Sequence, residues 1–293
     1  MTTVVQRRRA VPAPLLVLTA IASVQVGSAV ARGFFDELGA AGITLLRLLI
    51  AAVILGVVFR PKVRAWSAAA WRAAALLGVA MAGMNLLFYL SLRTVPLGVA
   101  VTVEFLGPLL LTLGQTRRVA DLMWALLAGG GVALLGLDPT VTAPLGGLLL
   151  AFAAGLCWAG YILASAHLGT LVPGTGGLAV ALAGAALLVL PFGASGATAV
   201  LDHPSLLLGA TAVALLSSVF SYGLEINALR RIPTRVFGIL MSLEPAGAAI
   251  AGLLVLHQRL GLREVAALLL VSLASLGATL AHRDPVTPPV APG

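Results

Sequence analysis

Four ionisable side chains stand inside long apolar runs of this chain: Arg47, Glu104, Glu225 and Glu244. An ionised group at the centre of a membrane span costs roughly 2.5–3.5 kcal/mol on insertion scales, so each is a candidate for binding a cation, a proton or a charged solute. Glu104 and Glu244 occupy related places. One stretch runs from Asn85 through Arg93 and Pro96 to Pro108, the other from Tyr222 through Arg230 and Pro233 to Pro245. In each, the two prolines are twelve positions apart and an Arg precedes the first proline by three. On this ruler Gly107 aligns with Glu244, so Glu104 is offset by three residues. That is close to one helical turn, and both carboxylates are expected on similar faces of equivalent helices. Glu104 lies four before Pro108 and Glu244 directly before Pro245, and proline frees the carbonyl one turn earlier and bends a helix; Pro96, Pro108, Pro233 and Pro245 are candidate hinges. A bent helix with a carboxylate near the membrane midplane can form a cation or proton site. The plainer reading is that the carboxylates pair with Arg or backbone groups and only fix helix packing.

The same choice applies to the other polar groups. Glu225 is either a site residue or the hydrogen-bond partner of Asn227 or a neighbouring helix. Arg47 either holds a helix interface, balances a carboxylate or touches a solute. Asn85 and Tyr89 are four apart, Trp158 and Tyr161 three apart, and Gln25 and Ser28 three apart, so each pair shares a helix face. An amide on such a face is a candidate cavity lining, or else an interhelical hydrogen bond worth about 1 kcal/mol. Asp121 stands near a helix start, where it complements the dipole, and reads as interfacial.

The elements that must position these groups are membrane spans. Hydrophobic residues make up 60% of the 293 and charged residues 10%, against roughly 25% charged in soluble domains. Mean hydropathy is +1.08. Ten apolar segments are expected, at about 14–33, 38–59, 69–92, 96–115, 120–137, 145–167, 174–193, 204–229, 234–256 and 262–281; most hold the ~17–25 residues a span needs. With the N-terminus inside, thirteen Arg and Lys fall on the cytoplasmic side and four outside, leaving Arg47 within a span. Five spans per half is an odd number, so the second half enters the membrane from the opposite side, as in transporters built by inverted duplication. The predicted fold is an all-α integral membrane protein with ten transmembrane helices in two inverted five-helix repeats. The organisation is a cytoplasmic N-terminal segment (1–13), a first repeat (14–140), a second repeat (141–282) and a disordered cytoplasmic tail (283–293). Arg7, Arg8 and Arg9 followed by an apolar run resemble a signal peptide, but cleavage would break the five-plus-five symmetry, so an uncleaved anchor is expected.

Other chemistry is poorly represented. The net charge of +8 is scattered over short connections, so no nucleic-acid partner is expected; membrane lipid is. Cys157 is the single cysteine, and His167, His203, His257 and His282 lie apart at helix ends, so neither a metal site nor a cofactor is expected. No phosphate-binding loop or nucleophile elbow is present, which argues against an enzyme. Gly129, Gly130, Gly131, Ala183, Gly184, Ala185, Gly247 and Gly252 are expected to permit close helix contact. The fifth and tenth spans carry no central charge and are candidate scaffold or homodimer contacts.

Residues 83–101 (GMNLLFYLSLRTVPLGVAV), 104–108 (EFLGP) and 229–245 (LRRIPTRVFGILMSLEP) resemble the drug/metabolite transporter superfamily of the two-EamA-repeat type. Within it the likeness is to bacterial threonine/homoserine exporters. The resemblance extends over nearly the whole chain. It implies a bacterial inner-membrane exporter of small metabolites with both termini cytoplasmic. It also implies a central cavity lined by spans 1, 3, 4, 6, 8 and 9. Many relatives have Gly-Glu after the ninth span where this chain has His257 and Gln258; a structural effect is expected there. The reading is a secondary exporter of a small zwitterion, threonine or homoserine first, working by alternating access. Glu104 and Glu244 would take the substrate amine or a proton, and Asn85, Tyr89 and Tyr161 would orient the substrate. Export of drugs, nucleobases or other metabolites, flipping of a lipid carrier, and a non-transporting partner role remain alternatives.

Overall fold

In the computed structural model, residues 12–115, 120–136, 144–229 and 231–281 are described. The N-terminal segment before 12 and the tail after 281 lie outside them, as does the side chain of Asp121. All regular elements among these residues are helical. The first three spans are α1 (Ala13–Arg32), α2 (Phe35–Phe59) and α3 (Ala68–Ser91). The fourth is two helices, α4 (Leu97–Glu104) and α5 (Leu106–Gly114). Then follow α6 (Ala120–Gly136), α7 (Leu145–Leu171), α8 (Gly176–Ala197) and the short α9 (Ala199–Asp202). The eighth span joins α10 (Ser205–Ala214) and α11 (Ser221–Leu229) through a π-helical segment, Leu215–Phe220. The ninth is α12 (Thr234–Met241) and α13 (Glu244–Leu256), and the tenth is α14 (Leu262–Ala281). Nine of these spans are long and apolar enough to cross a membrane, and Leu122–Leu135 within α6 is a shorter apolar helix.

Local sequence explains most boundaries. Pro96, Pro144 and Pro233 stand just before α4, α7 and α12, where a missing N–H removes no helix bond. Pro96 and Pro233 thus stand at helix starts, where the apolar runs beginning at 96 and 234 place them. Ser67 Oγ accepts the Ala70 N–H at 3.2 Å and caps α3. Gly39 has φ +66° inside α2, a backbone state that a side chain would strain. It separates the first turn, Phe35–Leu38, from the rest of the span.

The first and second halves of the chain pack mainly across one another. The second span lies against the seventh, the third against the sixth, the first against the eighth, the fourth against the ninth and the fifth against the tenth. This set of pairs is unchanged when the halves are exchanged. Small residues set the crossings: a Cβ on Gly193 would stand 2.4 Å from Ala41 O, and one on Gly131 would stand 3.0 Å from Ala267 O. The fifth and tenth spans are thus scaffold to each other. Gly247 and Gly252 also sit at contacts, with Ile21 and Gln258, and the Gly184 backbone lies 3.6 Å from where a Cβ on Gly78 would stand, whereas a Cβ added at Gly129, Gly130 or Gly184 would meet nothing within 4 Å. Leu76, Leu187, Leu208, Leu254 and Leu262 are among the exposed apolar side chains, which in a membrane meet lipid.

Candidate functional site

The fourth and ninth spans break at equivalent points. Phe105 separates α4 from α5, and Ser242 with Leu243 separates α12 from α13; Phe105 and Ser242 stand at the same distance from Pro96 and Pro233. Pro108 has no N–H to offer the Glu104 carbonyl, four residues earlier. That carbonyl lies against helix α7, where a Cβ on Gly155 would come within 2.2 Å of it. Pro245 occupies the first turn of α13, where its lack of a donor costs little. Glu104 therefore ends one half-helix and Glu244 begins another, and the favourable N-terminal dipole of α13 acts on Glu244.

Both carboxylates line one cavity of about 430 Å³. Gln25 donates its side-chain amide to Glu244, while the Gln25 Oε1 is buried with no hydrogen-bond partner. Glu104 accepts no hydrogen bond from protein among the described residues and is 8% exposed. Glu225 is joined to Ser221 Oγ at 3.3 Å, so its partner is the residue one turn before it and not Asn227. Arg47 also reaches the cavity; its Nη1 donates to Tyr89 Oη at 3.1 Å. The Asn85 amide donates to Met81 O at 2.7 Å, which leaves its carbonyl oxygen for a ligand. Trp158 meets the Phe105 ring edge-on at 5.5 Å.

Eight of the ten substrate-site candidates are thus brought together: Gln25, Arg47, Asn85, Glu104, Trp158, Tyr161, Glu225 and Glu244. Tyr89 is fully buried behind Arg47 and is absent from the lining. Asn227 is exposed and returns its amide to Gly223 O at 3.0 Å. Of the prolines, Pro108 alone lines the cavity. The sequence reading missed Tyr222, whose ring stacks on Tyr161 at 6.4 Å, and Ser217 and Ser221, which also line the cavity. Ser217 lies within the π-helical turn and Ser221 directly follows it, and the turn's Leu216 carbonyl accepts from Ser23 Oγ at 2.6 Å; such turns recur at functional sites. Adjacent Ser217 and Ser218 in mid-span were the available signal. Among the described residues no group of three His, Cys, Asp or Glu side chains is placed to hold a metal ion.

The cavity extends towards Thr112, Leu229, Phe237 and Thr279, at the ends of spans 4, 8 and 10 and the start of span 9. At the opposite end the halves are joined. Gln258 Oε1 accepts the Leu97 N–H at 2.9 Å, and Gly98 packs against Ala249 and Leu260. Gln258 thereby caps α4 from the other half, a structural role for this side chain. Removing a capping acceptor costs about 1 kcal/mol. Gln258→Ala is expected to lower thermal stability by a few degrees and Gln258→Glu to retain it, as measured on purified protein in detergent; equal melting of Ala and Gln forms would remove this role.

The fold and site together define a multi-pass, all-α membrane protein with a charged cavity at two broken spans. A model of the EamA-like transporter family matches residues 145–280. The chain is 42% identical over 271 residues to the threonine/homoserine exporter RhtA of Escherichia coli (strain K12), covering 92% of each protein. It is 41% identical, with the same coverage, to the threonine/homoserine exporter RhtA of Salmonella typhimurium (strain LT2). A solved crystal structure at 19% identity superposes with a TM-score of 0.57 over 92% of this chain and 96% of that one, a likeness of fold. The chain belongs to the EamA-like transporter family.

Proposed function

We propose that this protein exports small amino acids, threonine and homoserine first, across a bacterial inner membrane with both termini in the cytoplasm. The observation that carries the reading is the cavity of about 430 Å³, which combines Glu104, Glu225 and Glu244 with Arg47. Its volume falls in the ~300–1,000 Å³ range of small-ligand sites, and its charges suit a zwitterion. The 42% identity to exporters of threonine and homoserine supports the same substrates here. In this reading residues 14–140 and 141–282 are inverted repeats that rock about the cavity. The end of the cavity near Thr112 and Leu229 faces the cytoplasm, by the Arg and Lys distribution. Glu104 and Glu244 receive the substrate ammonium or a coupling proton. Asn85 and Tyr161 orient the substrate, and Trp158 and Tyr222 bound its apolar side.

The test is efflux of radiolabelled threonine and homoserine from cells overproducing the protein, with and without a protonophore. Efflux well above that of cells lacking the protein is expected for both. A well-expressed protein that moves neither amino acid would remove the substrate assignment.

A further inference from the structure

We infer that Arg47 anchors the substrate carboxylate, so that a free α-carboxylate is a condition of recognition at this cavity. The inference rests on the proposed amino-acid export and names the group that would read one end of the zwitterion. Arg47 lies in α2, is 4% exposed and still lines the cavity. A buried guanidinium held for structure alone is normally paired, because an uncompensated buried charge is costly. Arg47 has no carboxylate within 4 Å among the described residues, and its Nε is buried without a hydrogen-bond partner. Of five guanidinium N–H donors, one is used, by Tyr89 Oη. Glu104 lies within electrostatic range of Arg47 without pairing to it. Among the described residues the cavity therefore holds a cation with no carboxylate partner and, at a separate point, a carboxylate with no protein donor. A zwitterion satisfies both at once. The planar fork of a guanidinium matches a carboxylate in two parallel hydrogen bonds.

Tyr89 is the positioning residue. Its ring lies 4.7 Å from the Arg47 guanidinium carbon. It is itself held between Phe35 and Phe88 at ring distances of 5.9 and 6.0 Å. Arg47 is thus braced from behind, with its Nε buried and its remaining Nη donors left for the cavity. This accounts for a fully buried tyrosine beside a site whose solute it does not touch.

The experiment measures binding to the purified protein in detergent by ligand-induced thermal shift. The probes are threonine, homoserine, a panel of other free amino acids, and threoninol, in which a hydroxymethyl group replaces the carboxylate. Losing one partner of a buried charge pair weakens binding by roughly 30-fold or more, so threoninol is expected to bind the wild-type protein at least that much more weakly than threonine. In Arg47→Gln the two should bind within a few-fold of each other, and Arg47→Lys should keep part of the preference. Tyr89→Phe should weaken threonine binding while retaining the preference over threoninol. Equal binding of threonine and threoninol by the wild-type protein overturns the anchor, and this comparison needs no variant to fold. So does an Arg47→Gln protein that discriminates as strongly as wild type, or the absence of binding by any free amino acid. If another amino acid binds in place of threonine and homoserine, through its carboxylate and Arg47, the anchor stands and the substrate assignment fails.

Discussion

Glu244→Gln and Glu104→Gln are each expected to bring threonine and homoserine export down to that of cells lacking the protein, with the amount of protein in the membrane unchanged. Glutamine preserves the shape of each side chain and removes its charge. Glu244 is 4% exposed and lies at the start of α13, held by the Gln25 amide. After substitution Gln25 can turn its unpartnered Oε1 towards the new amide, so the packing there need not change. Glu104 has no hydrogen-bond donor among the described residues to lose. The folded state therefore depends little on either charge, whereas a substrate ammonium or a coupling proton depends on it directly. Loss of a buried charged contact weakens binding by roughly 30-fold to several thousand-fold, which places export below detection in a cellular assay. The check is labelled efflux alongside immunodetection of the membrane fraction. Normal export by both variants would sink the assignment of these carboxylates.

The equivalence of the two glutamates also marks how far the sequence could be read. Apolar length located nine helices long enough to span, with α14 at 262–281 as expected, and a shorter apolar helix at Leu122–Leu135, because a membrane span must be long, apolar and internally hydrogen-bonded. The ruler located Pro108 and Pro245 next to the breaks, and the apolar runs beginning at 96 and 234 placed Pro96 and Pro233 at helix starts, where the structure has them. Tyr89 shows a limit. It shares a helix face with Asn85, as spacing four requires, yet Arg47 from another helix stands between it and the cavity. Spacing gives the face of one helix and says nothing about what a neighbour inserts there. The π-helical turn at Leu215–Phe220 escaped for a related reason. It leaves hydropathy unaltered and depends on a contact with Ser23, some two hundred residues away in sequence. Tyr222 went unnoticed with it, although it stacks on a tyrosine that spacing had already marked.

The second large effect is structural and concerns the place where Glu104 is held. Gly107→Val is expected to abolish accumulation of folded protein. A Cβ on Gly107 would lie 1.8 Å from the Gly155 carbonyl oxygen, and one on Gly155 would lie 2.2 Å from Glu104 O. The clash is with backbone on both sides, so no rotamer change relieves it, and α5 and α7 would have to separate. Membrane helices associate through such close contacts, without a hydrophobic force to drive them together. Overpacking of a side chain into a tight core already costs about 1–3 kcal/mol, sometimes more, against a typical net stability of about 5–15 kcal/mol. A backbone clash at the break in the fourth span belongs at the upper end or beyond. Gly155→Ala should be strongly destabilising for the same reason. Gly129→Ala and Gly184→Ala are the controls, because a Cβ at either position meets nothing within 4 Å; both should match or slightly exceed wild-type stability through better helix propensity. The measurement is the yield of monodisperse protein after solubilisation, followed by thermal unfolding of whatever is recovered. A Gly107→Val protein with the yield and melting temperature of wild type would show that α5 and α7 do not approach as closely as this packing requires. The position of Glu104 against the cavity would then need a different support.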